Sequence, residues 1–314
     1  MAKPEKIKIG FAGTPEIAFA HFNHLLNSPN IDVGFVLTQP NKKSGRGLEE
    51  SKTLFDNIDR DIPIIQPDNL NDQDIINEIS KMKIDLLVVV AYGKILPDWV
   101  LEHPKFGCLN VHFSLLPKWR GAAPIQKAIA NGDKLSGISF MKIVNELDAG
   151  PIYASFNVDI EDNDFFQAEE KLLEVSLMHI SSVINEIVVN NKQPKEQDSR
   201  EVTYAEKIDR GDGLVNWSWG AKEIKNKFLA YRKWPLLSFM FKNEEVQIHD
   251  LEIASDQAGT PGTITEFTKE SLSVFCGDGV INIKAVKFPG KKVISSIDFF
   301  NAKRDIISSG DILV

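Results

Sequence analysis

Residues 86–91 read LLVVVA, six apolar side chains in a row directly after the polar stretch KMKID. A strand with one wet face alternates polar and apolar residues. An unbroken run of this length, with three consecutive valines, suits a strand covered on both faces, the central strand of a parallel sheet. The flanking sequence repeats the theme. Residues 7–12 (IKIGFA) form a second apolar run that ends at Gly13, and Pro15 then occupies the position of a first helical residue. Residues 16–26 carry apolar side chains at helical spacing. Strands are expected at 33–38, 61–65, 109–112 and 137–143, with helices between 65 and 86, at 122–130 and at 163–187, the last capped by Asn163 or Asp164. Alternation of this kind predicts an α/β fold with a doubly wound, mostly parallel, Rossmann-like sheet.

Residues 39–50 (QPNKKSGRGLEE) are polar, hold Pro40, Gly45 and Gly47, and show no period. They read as a long loop, and loops of that length are often functional. Residues 190–201 (NNKQPKEQDSRE) are likewise periodless and read as an interdomain linker. Beyond them lies one helical stretch at 221–231. Short strand-like runs at 246–249, 262–267, 272–276 and 280–286 then alternate with Gly, Pro and Asp turns. That half predicts a small antiparallel β-barrel. The expected domains are 1–189, a linker at 190–204, and 205–314.

The bulk composition agrees with two globular domains: 314 residues, 43% apolar and 25% charged. No apolar run approaches the roughly 18–20 residues that span a bilayer, so no membrane association is expected. The opening MAKPEKIKIGFAG has no apolar core or small-residue cleavage site of a signal peptide. Two cysteines, Cys108 and Cys276, make neither a disulfide framework nor a zinc cluster, so no metal is expected and a cytoplasmic location fits. The net charge of −8 argues against a generic nucleic-acid binder, but the excess is confined to residues 1–204, which hold 21 basic and 29 acidic residues. Residues 205–314 hold 15 of each and are neutral.

The stretch richest in chemistry is 108–153. Asn110 and His112 are two apart, so on a strand they share a face at its C-terminal end. Ligands of open α/β sheets bind outside that end. Asp148 follows the next strand, in a turn before Gly150. An amide, an imidazole and a carboxylate suit acyl or formyl transfer to an amine. The amide and a protonated imidazole donate to the developing oxyanion. The imidazole exchanges protons with the attacking and leaving nitrogens, and the carboxylate orients it. Spacing alone leaves a bland reading open, because Asn-x-His strand ends and Leu-Asp turns are common. Other features carry less. Gly13-Thr14-Pro15 lacks the full glycine fingerprint of a nicotinamide enzyme. His21, His24, His103, His179 and His249 lack metal-ligand spacing. Cys108 reads as a small buried residue, and Trp217, Trp219 and Trp234 as packing.

Asn110-x-His112-x-Ser114-Leu115-Leu116-Pro117, followed by Leu147-Asp148-x-Gly150, resembles the hallmark of the folate-dependent formyltransferases. FAGTPEIA at 11–18, QPNKKSGRG at 39–47, VVAYGKILP at 89–97, RGAAPIQKAI at 120–129, TYAEKI at 203–208 and PGKK at 289–292 extend the likeness over essentially the whole chain. They resemble the methionyl-tRNA-formylating branch. The resemblance implies 10-formyltetrahydrofolate as co-substrate and initiator methionyl-tRNA as acceptor and partner. It implies catalytic roles for Asn110, His112 and Asp148, and a folate pocket lined by Ser114, Leu115, Leu116 and Pro117. It implies tRNA contact through Arg46 with its neighbours Lys42 and Lys43, and an oligonucleotide-binding-like barrel along the tRNA. Lys291 and Lys292 are the candidate phosphate contacts there, with Lys303 and Arg304 nearby. A monomer is expected. Four departures stand out: Phe113 where a small residue or proline is usual, which could narrow the folate mouth; Asn145-Glu146 before Leu147; Lys42-Lys43; and RKWPLLSF at 232–239. Rival readings are an amino-sugar formyltransferase, a non-catalytic tRNA-binding relative and a nicotinamide oxidoreductase.

Overall fold

The computed structural model describes residues 6–40, 43–44, 49–50, 54–58 and 61–313. The chain groups into two compact units: Met1–Arg120, Gly137–Val158 and Lys171–Tyr204 in the first, Gly121–Ser136, Asp159–Glu170 and Ala205–Val314 in the second.

In chain order the first half contains β1 (Ile7–Gly13), α1 (Glu16–Leu26), β2 (Ile31–Leu37), β3 (Lys43–Ser44), β4 (Glu49–Glu50) and β5 (Ile64–Ile65). It continues with α2 (Gln73–Ser80), β6 (Leu86–Val90), α3 (Asp98–Glu102), β7 (Cys108–His112) and β8 (Arg120–Gly121). Then come α4 (Pro124–Asn131), β9 (Leu135–Lys142), β10 (Ile152–Asp159) and α5 (Phe165–Val188). Seven strands form the main sheet in the order β10-β9-β7-β6-β1-β2-β5. β6 is central and every residue of it is buried, as its unbroken apolar run implies. Each such Leu or Val contributes about 1.5–3 kcal/mol of burial. At the end of β1, a Cβ on Gly13 would lie 2.6 Å from the Ala18 Cβ and 2.8 Å from the Val90 carbonyl oxygen. That glycine therefore lets strand and helix approach closely, which is a structural role. Asp164 opens α5 with a reciprocal cap: its carboxylate accepts from the Gln167 amide at 3.0 Å, and its own amide donates to the Gln167 side chain at 3.0 Å.

The pairing is parallel between β1 and β2, β1 and β6, β2 and β5, and β6 and β7. The sheet departs from that pattern at β9, which runs antiparallel to β7 with Leu109 opposite Lys142 and His112 opposite Ser139. β10 and α3 have no counterpart among the elements expected from sequence. In β10 the apolar residues alternate with exposed ones (pattern iBieieBe), as in a strand with one wet face.

The second unit contains β11 (Tyr204–Ala205, its second residue), α6 (Ala221–Ala230), β12 (Ser238–Phe241), β13 (Glu244–Ser255), β14 (Ile264–Phe267), β15 (Leu272–Cys276), β16 (Gly279–Lys287), β17 (Val293–Ser295) and α7 (Ser296–Lys303). Five strands pair in the order β12-β13-β16-β15-β14, and β17 adds to β16. The ladders are antiparallel, and β13 has several register breaks against β16 that bend the sheet into a curl. Val246, Ile248, Leu251, Val274, Ile281 and Ile283 fill its core. Trp217 is buried edge-on to Phe239 and is packing, whereas Trp234 is 49% exposed. α4 packs on α6 within this unit.

Candidate active site

Three parallel strands, β1, β6 and β7, bring their C-terminal ends to one edge of the first unit. The loops after β1, β2 and β6 are tied there. The Thr14 hydroxyl donates to the Tyr92 carbonyl at 3.2 Å and the Gln39 side-chain Nε2 donates to the same oxygen at 2.7 Å. Tyr92 itself is buried, and burial pushes its phenol up to about 12.

Asn110 and His112 occupy alternate positions of β7, with Asn110 half-buried and His112 5% exposed. His112 Nε2 lies 2.9 Å from the Trp119 carbonyl oxygen. A carbonyl can only accept, so Nε2 carries the hydrogen and donates. That leaves Nδ1 facing the Asp148 carboxylate at 3.7 Å. This is an ion-pair separation and too long for a hydrogen bond. The Nδ1 edge can therefore engage a reacting group while Asp148 remains beside it.

Both of the imidazole's neighbours sit in backbone conformations that L-residues rarely adopt. Trp119 has φ +62 and Asp148 has φ +47. Such conformations cost on the order of 1–3 kcal/mol each and persist only where surrounding contacts hold them. The antiparallel course of β9 adds a demand of its own. Its C-terminal end lies beside Leu109, so residues 143–148 must turn back towards His112. Gly150 permits the turn, because a Cβ there would run into the Lys142 carbonyl.

Four residues to which the sequence reading gave no role in the site, Arg120, Glu146, Gln197 and Thr203, hold this geometry. Arg120 is 6% exposed, and its Nε and Nη2 donate to Gln197 Oε1 at 3.1 and 2.9 Å. Its Nη1 lies 3.3 Å from Glu146 Oε1. Gln197 Nε2 donates to the carbonyls of Asp148 at 2.9 Å and Gly150 at 2.7 Å. The Trp119 amide donates to the Thr203 hydroxyl at 2.9 Å, and the Arg120 amide to the Thr203 carbonyl at the same distance. Gln197 and Thr203 belong to the stretch expected as linker, which is stitched to the first unit, including through paired backbone bonds between Ile152 and Lys195. Polar, periodless composition gave no signal for Gln197. Arg120, Glu146 and Thr203 stood within quoted stretches, RGAAPIQKAI, Asn145-Glu146 and TYAEKI, without a role in the site.

Ser114 is fully buried and its hydroxyl donates to the Lys118 carbonyl at 2.6 Å, so it closes the loop on itself. Ser139 completes that loop, donating to the Ser114 carbonyl and accepting from the Leu116 amide. Leu116 is buried as well, which leaves Leu115 and Pro117 half-exposed. Phe113 is also buried, with its ring edge-on to His21 at 6.0 Å. That contact seats its ring in the core.

In the second unit Lys291 and Lys292 are exposed in the turn between β16 and β17. Lys303 Nζ sits 4.9 Å over the Phe288 ring, and Arg304 is exposed at the end of α7. Lys43 falls in the two-residue strand β3, while Lys42 and Arg46 lie outside the described residues. Among the described residues no group of three or more His, Cys, Asp or Glu could hold a metal ion. No described helix is long and apolar enough to cross a membrane. Cys108 is buried, and burial pushes its thiol up to about 12, so it is no nucleophile at neutral pH.

Two family models match the chain: formyl transferase over residues 6–183, and the formyl transferase C-terminal domain over 207–304. The chain belongs to the formyl transferase family. As a formyl transferase it is an enzyme of one-carbon group transfer. It is 34% identical to the methionyl-tRNA formyltransferase of Buchnera aphidicola subsp. Acyrthosiphon pisum, over 98% of this chain and 100% of that one. It is 39% identical to the methionyl-tRNA formyltransferase of Sulfurihydrogenibium sp., over 93% and 96%. Among solved structures, an N-formyltransferase from Helicobacter canadensis, described as a complex with folinic acid and dTDP-3-aminofucose, superposes with a TM-score of 0.61 at 22% identity. It covers 88% of this chain and 98% of its own. This formyl transferase therefore shares its fold with a protein described with an amino sugar, and fold alone does not select the acceptor.

Proposed function

We propose that this formyl transferase moves the formyl group of 10-formyltetrahydrofolate to the α-amino group of methionine on initiator tRNA. The observation that carries the chemistry is the pairing of His112 with Asp148 beside the strand face that also bears Asn110. The amine attacks the formyl carbon, the new C–N bond forms, and charge collects on the formyl oxygen. Asn110 and the protonated Nδ1 edge of His112 donate to that oxygen. As the carbonyl re-forms, the bond to the folate N10 breaks. His112 first gives its Nδ1 proton to the leaving nitrogen, and the freed Nδ1 then takes the proton lost by the attacking nitrogen, with Asp148 supporting the imidazolium. Leu115 and Pro117, the half-exposed part of the 114–117 loop, contact the folate.

The acceptor is argued from the relatives, which carry the methionyl-tRNA name at 34–39% identity over nearly the whole chain. Lys42, Lys43 and Arg46 meet the acceptor end. Lys291 and Lys292 contact phosphate from the second unit, where such contacts position the tRNA without reading sequence. The enzyme works as a monomer in the cytoplasm, which light scattering of the purified protein and cell fractionation would check.

The test is transfer of labelled formyl from 10-formyltetrahydrofolate, offered in parallel to initiator methionyl-tRNA and to a dTDP-amino sugar. Label on the tRNA alone is expected. Label on the sugar alone would overturn the acceptor, and label on neither would overturn the transfer.

A further inference from the structure

The segment between residues 195 and 203 touches both partners of the His112 imidazole. On one side the Thr203 hydroxyl accepts from the amide of Trp119, whose carbonyl in turn accepts from His112. On the other, Gln197 donates to the carbonyls of Asp148 and Gly150. Trp119 and Asp148 are both held at positive φ. Each strained residue thus has one tie from the same short stretch of chain.

The orientation of the Gln197 amide follows from chemistry. A guanidinium has no acceptor, so the Gln197 atom facing Arg120 Nε and Nη2 must be the oxygen. The nitrogen then faces the turn, where both of its hydrogens find carbonyls. Arg120 is buried and cannot swing away without leaving its charge unpaired. Its Nη1 reaches Glu146, two residues before Asp148, so the same arginine grips the turn twice.

We infer that Gln197 and Thr203 are positioning residues that hold Asp148 and Trp119 in strained conformations and so set the His112–Asp148 pair. The inference rests on the proposed transfer only for its kinetic readout. Neither residue touches substrate. Releasing either tie lets one partner of the imidazole relax, and a displacement of about 1 Å can cost up to 10²-fold in rate.

Four variants test this. Gln197→Leu removes both donors. Gln197→Glu keeps the oxygen facing Arg120 but turns a second oxygen towards two carbonyls. Thr203→Val removes the hydroxyl at constant shape, and Thr203→Ser restores it. Loss of about 10-fold or more in kcat is expected for the first three, with KM for 10-formyltetrahydrofolate within about twofold and near wild-type rate for Thr203→Ser. In an Asp148→Asn background, Gln197→Leu should add less than about twofold, because it acts through Asp148. Amide exchange of residues 147–150 should quicken in both Gln197 variants, and this readout stands even if the substrate assignment fails. Folded Gln197 variants with wild-type kcat and unchanged exchange would overturn the inference. So would losses in the Asp148→Asn background as large as in wild type.

Discussion

His112 Nδ1 stands 3.7 Å from Asp148 Oδ2, while the opposite nitrogen of the ring donates to the Trp119 carbonyl at 2.9 Å. The two contacts divide the ring's work. One nitrogen is fixed as a donor to the backbone, and the other faces a carboxylate. His112→Ala should lower kcat by at least about 10²-fold, the scale of losing one oxyanion donor, with little change in folate binding. Steady-state kinetics would check both. A variant with near wild-type kcat would remove His112 from the mechanism.

Asp148→Asn keeps the shape of the turn and removes the charge. The backbone ties from Gln197 persist, so the fold should be unaffected and thermal melting should match wild type. The rate should fall by about 10²-fold or more, because the imidazolium loses its support. Equal rates for the two proteins would leave Asp148 as a turn residue.

Gly150→Ala attacks the same turn sterically. The added methyl has nowhere to go except into the Lys142 carbonyl, so the 148–150 turn must shift. A loss of about 1–3 kcal/mol in stability is expected, as for overpacking elsewhere, together with a fall in kcat. Urea unfolding and the formylation assay on the same preparation measure the two. A stable, fully active Gly150→Ala would mean that the turn is not tightly determined.

His21 supplies a pH dependence. It is fully buried between the Ile17 carbonyl at 2.7 Å and the Ser176 hydroxyl at 2.6 Å. Desolvation pulls its pKa down from 6.5 to about 4, against the Ile17 hydrogen bond and with help from His24. Between those values the unfolded chain binds a proton that the folded chain refuses. Stability is therefore full above pH 6.5 and falls as pH drops towards 4, by on the order of 3 kcal/mol at 1.36 per pH unit. His21→Gln should flatten that part of the profile, as read by urea unfolding at pH 7 and pH 5. Wild type and variant losing stability in parallel would place the effect elsewhere.

Lys291 and Lys292 sit exposed in one turn of a stretch, residues 205–314, with no net charge, so a tRNA contact there depends on local basic groups. Reversing both to Glu should raise KM for methionyl-tRNA and flatten its salt dependence, since fewer counterions are released. KM for 10-formyltetrahydrofolate should stay the same. If the tRNA KM and its salt slope match wild type, the basic face lies elsewhere.

The sequence by itself determined the central strand, because LLVVVA has no wet face, and the sharing of one strand face by Asn110 and His112, because side chains alternate with period two. It determined the span of α1 through its helical spacing, although Pro15, expected as the first helical residue, is the extended N-cap before it. Tertiary structure decided what local pattern does not encode. The direction of β9 is a pairing choice, and an apolar run reads the same in either direction. The burial of Ser114 and Phe113 depends on what the chain folds against them, Lys118 and His21. The positions of Gln197 and Thr203 depend on contacts 49 and 84 residues away along the chain, to Asp148 and Trp119. Hydrogen bonds of that separation leave no periodicity in a polar segment. A stretch that looks like a linker can therefore hydrogen-bond both residues that flank the His112 imidazole.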